Sequence, residues 1–250
     1  MKWFRKKVDN FFRTEKIISD PKNVWSVSPG ISFKRTMELT EGWMSKEDTV
    51  DEKIRLLDFV MDMIREDLKS SLLTAILYKP KEPNNDEENE DFGIELPRYL
   101  FPNIYQDEKG NKIQLIDEEK EKTRIIDLSK TCIWTIPWKQ DRLKGAVTHL
   151  FKRDFHNDPT NHHAYYYEDL DVCYVFNGRH SATAGAYYKT GEIKAWDIDI
   201  RQLYEHIYSD GVYWYNSHTK KACSGLIYDF RIAILYELAK LKYKVGQKNL

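Results

Sequence analysis

The residues with the greatest chemical capacity stand together at Asn177-Gly178-Arg179-His180-Ser181. An Asn-Gly pair suits backbone of positive φ, where the chain turns sharply. If a helix opens near Arg179, its first N–H groups and its dipole point out of the turn and form an anion site. The Arg179 guanidinium offers a fixed fork of donors to a phosphate. His180 can bind the same anion or move a proton, and Ser181 can cap the helix or donate. The same residues also read as an ordinary turn with an exposed Arg-His-Ser, so the chemistry has to come from what surrounds them. The expected ligand carries phosphate and is a nucleotide or a nucleic acid. If a reaction takes place, it is hydrolysis of a phosphoester or phosphodiester, of nuclease or nucleotidase type. Arg179 would hold the phosphate, His180 would act as acid and base, and His163, His162 or Asp169 would assist.

All seven histidines fall between His149 and His218. His156, His162 and His163 share one polar loop, and Asp169 comes shortly after. His156, His162 and Asp169 could converge on a divalent metal, Mg, Mn or Zn, that activates a water. No H-x-E or H-E-x-x-H spacing fixes such a geometry, and a polar loop rich in histidine also reads as simply exposed. Tyr165-Tyr166-Tyr167 and Val212-Tyr213-Trp214-Tyr215 could stack bases. The competing reading, and the favoured one, is sheet residues with one buried face.

The elements that must position these groups can be read from periodicity. Asp171–Phe176 is an apolar strand leading into the Asn-Gly turn, and Ser181–Tyr188 is helical, with small residues from Ala182 to Ala186 that allow close packing on a sheet. Strands are expected at Phe92–Tyr99, Asn103–Gln106, Lys112–Ile116, Arg124–Leu128, Cys132–Ile136, Ala164–Tyr167, Ile193–Ile198 and Val212–Tyr215. The two around Glu108-Lys109-Gly110-Asn111 should form a hairpin. Helices are expected over Lys46–Leu77, capped by Ser45 or Asp48, and over Gln140–Lys152, Ile200–Tyr208 and Leu226–Leu241. Residues 19–45 read as irregular, broken by Asp20-Pro21, Ser28-Pro29-Gly30 and Gly42. Residues 1–16 read as a basic amphipathic helix, either docked on its own domain, the favoured reading, or offered to a protein partner or a membrane surface. The acidic run Asp86–Asp91 marks the best boundary between an N-terminal helical region, 1–78, and an α/β (α+β) domain, 92–250, with 79–91 as linker or loop.

At these residues the chain resembles the ParB/sulfiredoxin-like superfamily. The parallels are the strand Val172–Phe176, the turn Gly178-Arg179-His180-Ser181, the small run Ala182–Ala186, Gly191 and the strand Ile193–Ile198. Upstream, Ile126-Asp127-Leu128 through Ile133–Pro137 and Arg142 looks like the family's opening strand, an Ile-Pro step and a subsequent helix. The resemblance spans about residues 124–200 and implies a mixed sheet with flanking helices and nucleotide binding of the ParB type. It departs from the ParB pattern in the order Arg179, His180, Ser181. It lacks the sulfiredoxin nucleophile, because Arg179 stands where that cysteine would be, so sulfiredoxin chemistry is not implied. The chain also looks like uncharacterised bacterial or phage-encoded proteins with an Asn-Gly-x-His-Ser core.

Composition bounds the alternatives. In 250 residues a chain can bury a substantial core, and 14% aromatic residues argue against disorder. The formal net charge of −1 gives no global basic excess for nucleic acid. Three widely spaced cysteines without a C-x-x-C argue against a disulfide framework and fit a reducing, cytoplasmic setting. No apolar run is long enough for a membrane span, and charges interrupt any signal-like stretch near the start. The competing function is a non-catalytic regulatory or interaction protein, as in phage–host conflict, working through residues 1–16 and Asp86–Asp91.

Overall fold

The structure, a computed structural model, describes residues 28–78 and 96–247. The expected amphipathic segment 1–16 and the acidic segment 79–91 lie outside the described residues.

The first helix, α1, runs Pro29–Met44 through a stretch whose Pro and Gly residues suggested irregular chain. Proline is well tolerated at the first helical position, where its missing N–H costs nothing. Phe33, Met37, Thr40 and Met44 then supply a helical stripe against the core. Helix α2, Val50–Tyr78, opens on Thr49 rather than on Ser45 or Asp48. Thr49 Oγ1 accepts the Glu52 N–H at 3.2 Å and Glu52 Oε2 accepts the Thr49 N–H at 3.1 Å, a reciprocal capping box.

A hairpin comes next, with β1 at Ile104–Gln106 and β2 at Lys112–Gln114 paired antiparallel across the expected turn. Residues 96–99, expected to continue a strand, are not part of one. The main sheet is built from β3 (Thr123–Asp127), β4 (Cys132–Trp134), β5 (His163–Tyr167), β6 (Val172–Asn177) and β7 (Glu192–Asp197), with helices α3 (Gln140–Leu150) and α4 (Arg179–Tyr188) inserted after β4 and β6. The strand order is β3-β7-β5-β6-β4. Pairing alternates across it: β3–β7 antiparallel, β7–β5 parallel, β5–β6 antiparallel, β6–β4 parallel. A small antiparallel sheet of β8 (Ile207–Ser209), β9 (Tyr213–Asn216) and β10 (Ala222–Leu226) precedes the closing helix α5, Phe230–Gln247. The protein is thus an α+β fold with helices leading its described N-terminal part. The expected helix over Ile200–Tyr208 is instead a short 3-10 turn, Ile200–Leu203, succeeded by β8.

Side chains alternate across the main sheet. Tyr165, Tyr167, Val172 and Tyr174 face one core, shared with Leu57, Met61 and Leu68 of α2 and Ile232, Leu235 and Tyr236 of α5. The N-terminal helices therefore pack on the same core as the sheet. Leu57 is fully buried there, so its truncation to alanine should cost about 2–5 kcal/mol. On the opposite face Ala164, Cys173, Val175, Ile193 and Ala195 meet Ala182 of α4. The small residues of α4 set its close approach. A Cβ on Gly185 would lie 2.7 Å from Leu128 Cδ1 and 3.0 Å from the Thr190 carbonyl oxygen.

Candidate functional site: a cleft between two helix N-termini

Because β4 and β6 are parallel neighbours, the helices that succeed them start side by side at their carboxyl ends. Between the two starts lies a cleft of about 370 Å³, lined by Trp138, Arg142 and Ala146 from the α3 side, by Asn161, and by Phe176 through Ser181 from the β6–α4 turn. Open sheets with parallel strands place ligands in such positions. All five residues singled out by sequence, Asn177, Gly178, Arg179, His180 and Ser181, belong to this lining.

Gly178 makes the turn. It sits in the left-handed region at φ 72°, and it is the N-cap of α4 without a side-chain cap to the first turn. A Cβ at this position would lie 2.2 Å from His162 Cδ2. Helix α3 likewise begins without a side-chain cap, after Lys139. The cleft thus faces two helix N-termini, where the peptide dipoles favour negative charge. Arg142 and Arg179 add two cations, and the lining contains no carboxylate. Arg142 lies over the Trp138 ring at 4.6 Å, and Trp138 meets the edge of His180 with ring centroids 5.4 Å apart. Burial raises the Tyr174 phenol above its ordinary pKa, and the nearby Arg179 charge opposes that rise.

The hydrogen bonds of two histidines fix their protonation. His180 Nε2 accepts the Lys139 backbone N–H at 3.1 Å, so in the neutral ring the proton sits on Nδ1. His162 Nδ1 accepts the Asp158 N–H at 2.8 Å, which places its proton on Nε2, 2.6 Å from Ser181 Oγ. The Ser181 hydroxyl in turn donates to the Gly178 carbonyl at 3.0 Å. His162 therefore donates to Ser181 and does not draw a proton from it. The imidazole is buried, and burial holds it below the ordinary histidine pKa, against the pull of the Asp158 carboxylate.

The structure separates the other expected groups. His163, next in sequence to His162, turns to the opposite sheet face, where it meets Phe176 and Trp196 at 5.9 and 6.0 Å. His156 is exposed on the loop before β5. Asp169 lies past the far end of β5, bonded to Tyr204 at 3.2 Å and paired with Arg201 at 3.7 Å. His156, His162 and Asp169 are therefore not brought together, and among the described residues no three His, Cys, Asp or Glu side chains form a metal-holding group. Asp169 instead lines a second crevice of about 320 Å³, at the carboxyl ends of the other parallel pair, β5 and β7. Trp138, Arg142 and Asn161 were not singled out as site residues by sequence. Their signal lay in topology, because a parallel β4–β6 pair carries the start of α3 to the Asn-Gly turn.

Among the described residues no helix is long and apolar enough to cross a membrane. No curated protein and no solved structure matches the chain. One family model does match, over residues 6–249: the family of unknown function DUF6710. The chain belongs to that family.

Proposed function

We propose that this DUF6710 member binds a phosphate-bearing ligand, a nucleotide or a nucleic-acid phosphate, in the cleft between α3 and α4. The observation that carries this reading is the convergence of two uncapped helix N-termini and two arginines on a lining without carboxylates. Backbone N–H groups at a helix start and an arginine fork are the usual phosphate donors. The relation to ParB/sulfiredoxin-like domains belongs to the same proposal, since the strand, glycine turn and short helix are where that likeness rests.

Binding is favoured over hydrolysis. His180 would have to give up the Lys139 bond before Nε2 could take a proton, and Ser181 receives a hydrogen bond from His162 instead of losing a proton to it. A regulatory ligand-binding role in the cytoplasm fits these fixed tautomers, and the three cysteines, all free, suit a reducing compartment.

The test is a thermal-shift series with inorganic phosphate, nucleoside mono-, di- and triphosphates and short oligonucleotides, each with and without Mg²⁺. A ligand at about 100 times its Kd stabilises the native state by about 2.7 kcal/mol. The wild type should show a raised Tm with at least one of these ligands, and Arg179→Ala should lose that shift while melting near the unliganded wild type. A shift equally large in Arg179→Ala, or no shift with any ligand, would overturn the proposal.

A further inference from the structure

Helix α3 buries none of its side chains. Its half-buried residues, Leu143, Ala146, Val147 and Leu150, recur at helical spacing and form the stripe that lies along α4. The rest of the helix faces outward. At 3.6 residues per turn, Arg142, Ala146, His149 and Arg153 fall along one edge. Arg142 and Ala146 line the cleft, so this edge continues the cleft's wall away from the two helix starts. Arg153 stands just past the helix, where its N–H still reaches the His149 carbonyl at 3.0 Å and extends the helical course. Gly145, beside this edge, is exposed, and a Cβ added to it meets nothing within 4 Å. Packing therefore does not require a glycine there, although glycine weakens a helix interior. Its bare backbone lets another molecule pass close to the helix.

Charge says what that molecule is. From Lys139 to Arg153 the sequence carries five cations, Lys139, Arg142, Lys144, Lys152 and Arg153, against one carboxylate, Asp141, in a chain of formal net charge −1. Arg142, Lys144, Lys152 and Arg153 are exposed, and none of them forms an ion pair with another described residue. Asp141 lies about a quarter turn round the helix from Arg142, Asp154 ends the run, and Asp158 accepts the Thr160 N–H at 2.9 Å; counted with them, the cations remain in excess. From Arg142 to Arg153 the edge measures roughly 16 Å by helical rise, farther than the phosphates of one free nucleotide reach. We infer that the ligand of the cleft is a nucleic-acid strand. One phosphate is held between the helix starts, and its neighbours run along the α3 edge, past Gly145, to Arg153 and Lys152. The inference rests on phosphate binding in the cleft and names a polymer as the ligand.

Fluorescence anisotropy of a labelled single-stranded oligonucleotide on full-length protein, run beside thermal shifts with inorganic phosphate and a nucleoside triphosphate, separates the edge from the cleft. The wild type should bind the oligonucleotide with an affinity that falls as salt rises. Arg153→Glu should weaken that binding about three- to tenfold and flatten its salt dependence, at unchanged Tm and with the small-ligand shift intact. Gly145→Glu, whose side chain enters open space, should weaken it too without lowering Tm. Lys144→Glu makes the same charge change on the opposite edge of α3 and should weaken it less. Arg179→Ala should lose the oligonucleotide and the small ligands together. Oligonucleotide binding unchanged in Arg153→Glu and Gly145→Glu, or weakened equally by Lys144→Glu, would overturn the inference and leave the cleft proposal standing. So would capture of anionic phospholipid vesicles in place of the oligonucleotide, which would assign the edge to a lipid surface. Oligonucleotide bound equally well by Arg179→Ala would overturn the path out of the cleft. A wild type that binds neither oligonucleotide nor small phosphates would sink the cleft proposal and this inference with it.

Discussion

Two crevices of similar size, about 370 and 320 Å³, occupy equivalent places in the sheet. Each opens at the carboxyl ends of a parallel pair, β4–β6 in one and β5–β7 in the other, and they lie at opposite ends because β5 and β6 are antiparallel. Their chemistry differs completely. The β4–β6 cleft is lined by arginine, histidine, amide and aromatic groups around two helix starts. The β5–β7 crevice is lined by Glu121, Glu168, Asp169, Asp197 and Asp199 against Lys120, Lys122 and Arg201. There Arg201 is engaged by Asp199 at 2.8 Å and Asp169 at 3.7 Å, and the neighbouring Arg124 by Asp197 at 2.8 Å and Glu168 at 3.0 Å. Cations so engaged have little left for an external anion. Topology makes a hollow at both ends, and the segment that leaves each strand decides how the hollow is used. After β6 comes a glycine turn and a helix of ten residues, after β5 a short 3-10 turn that begins Glu168-Asp169.

The contrast can be broken most severely at the turn itself. Gly178→Ala adds a Cβ into His162 and forces a left-handed φ on alanine, at a cost of about 2–4 kcal/mol. That corresponds to a fall in Tm of about 5–15 °C, accompanied by loss of any phosphate-induced shift; a wild-type melt would mean the turn tolerates a side chain. Arg142→Ala should weaken phosphate binding about three- to tenfold by titration, less than Arg179→Ala, because Arg142 is exposed and spreads over Trp138. His162 sharpens the comparison through pH. Its folded pKa lies below the ordinary histidine value, so the stability it contributes is fully present above that ordinary value and is lost as pH falls through the lowered one. Protonated Nδ1 would face the Asp158 N–H, donor against donor. In unliganded protein, Tm measured from about pH 7 down to about pH 5 should fall less steeply in His162→Gln than in wild type; parallel curves would remove His162 as the acid-sensitive group. The smallest effect belongs to the other crevice. Arg201→Ala should change stability by less than about 1 kcal/mol and leave phosphate binding untouched, and a loss of binding there would erase the distinction between the two hollows.

The strands and helices around the cleft were largely legible from periodicity, and the Asn-Gly turn from composition alone. The elements that escaped did so for identifiable causes. Helix α1 was hidden by Pro29, Gly30 and Gly42, which disrupt a helix in its middle but not at its first turn or on a face without contacts; a Cβ on Gly42 meets nothing within 4 Å. Ile200, Leu203, Tyr204 and Ile207 recur at helical spacing, yet all four are buried through a 3-10 turn and a strand, because short apolar runs satisfy either period. Strand β10 carries Gly225 and little β-branched character, so nothing local announced it. At the site, His162 and His163 look equivalent in sequence, but neighbours at a strand start face opposite sides of the sheet. Trp138 and Arg142 joined the cleft through a pairing of strands about forty residues apart, which no local pattern records.

The sharing of one core by α2, α5 and the sheet sets the side chains that hold the fold beside those that line the cleft. Leu57 and Tyr236, far apart in the chain, close the same wall, whereas Arg142 and Arg179 line the cleft. A protease cut that detached α5 would therefore strip the wall on which cleft-lining Phe176 also packs, whereas exchange of Arg142 leaves that wall in place.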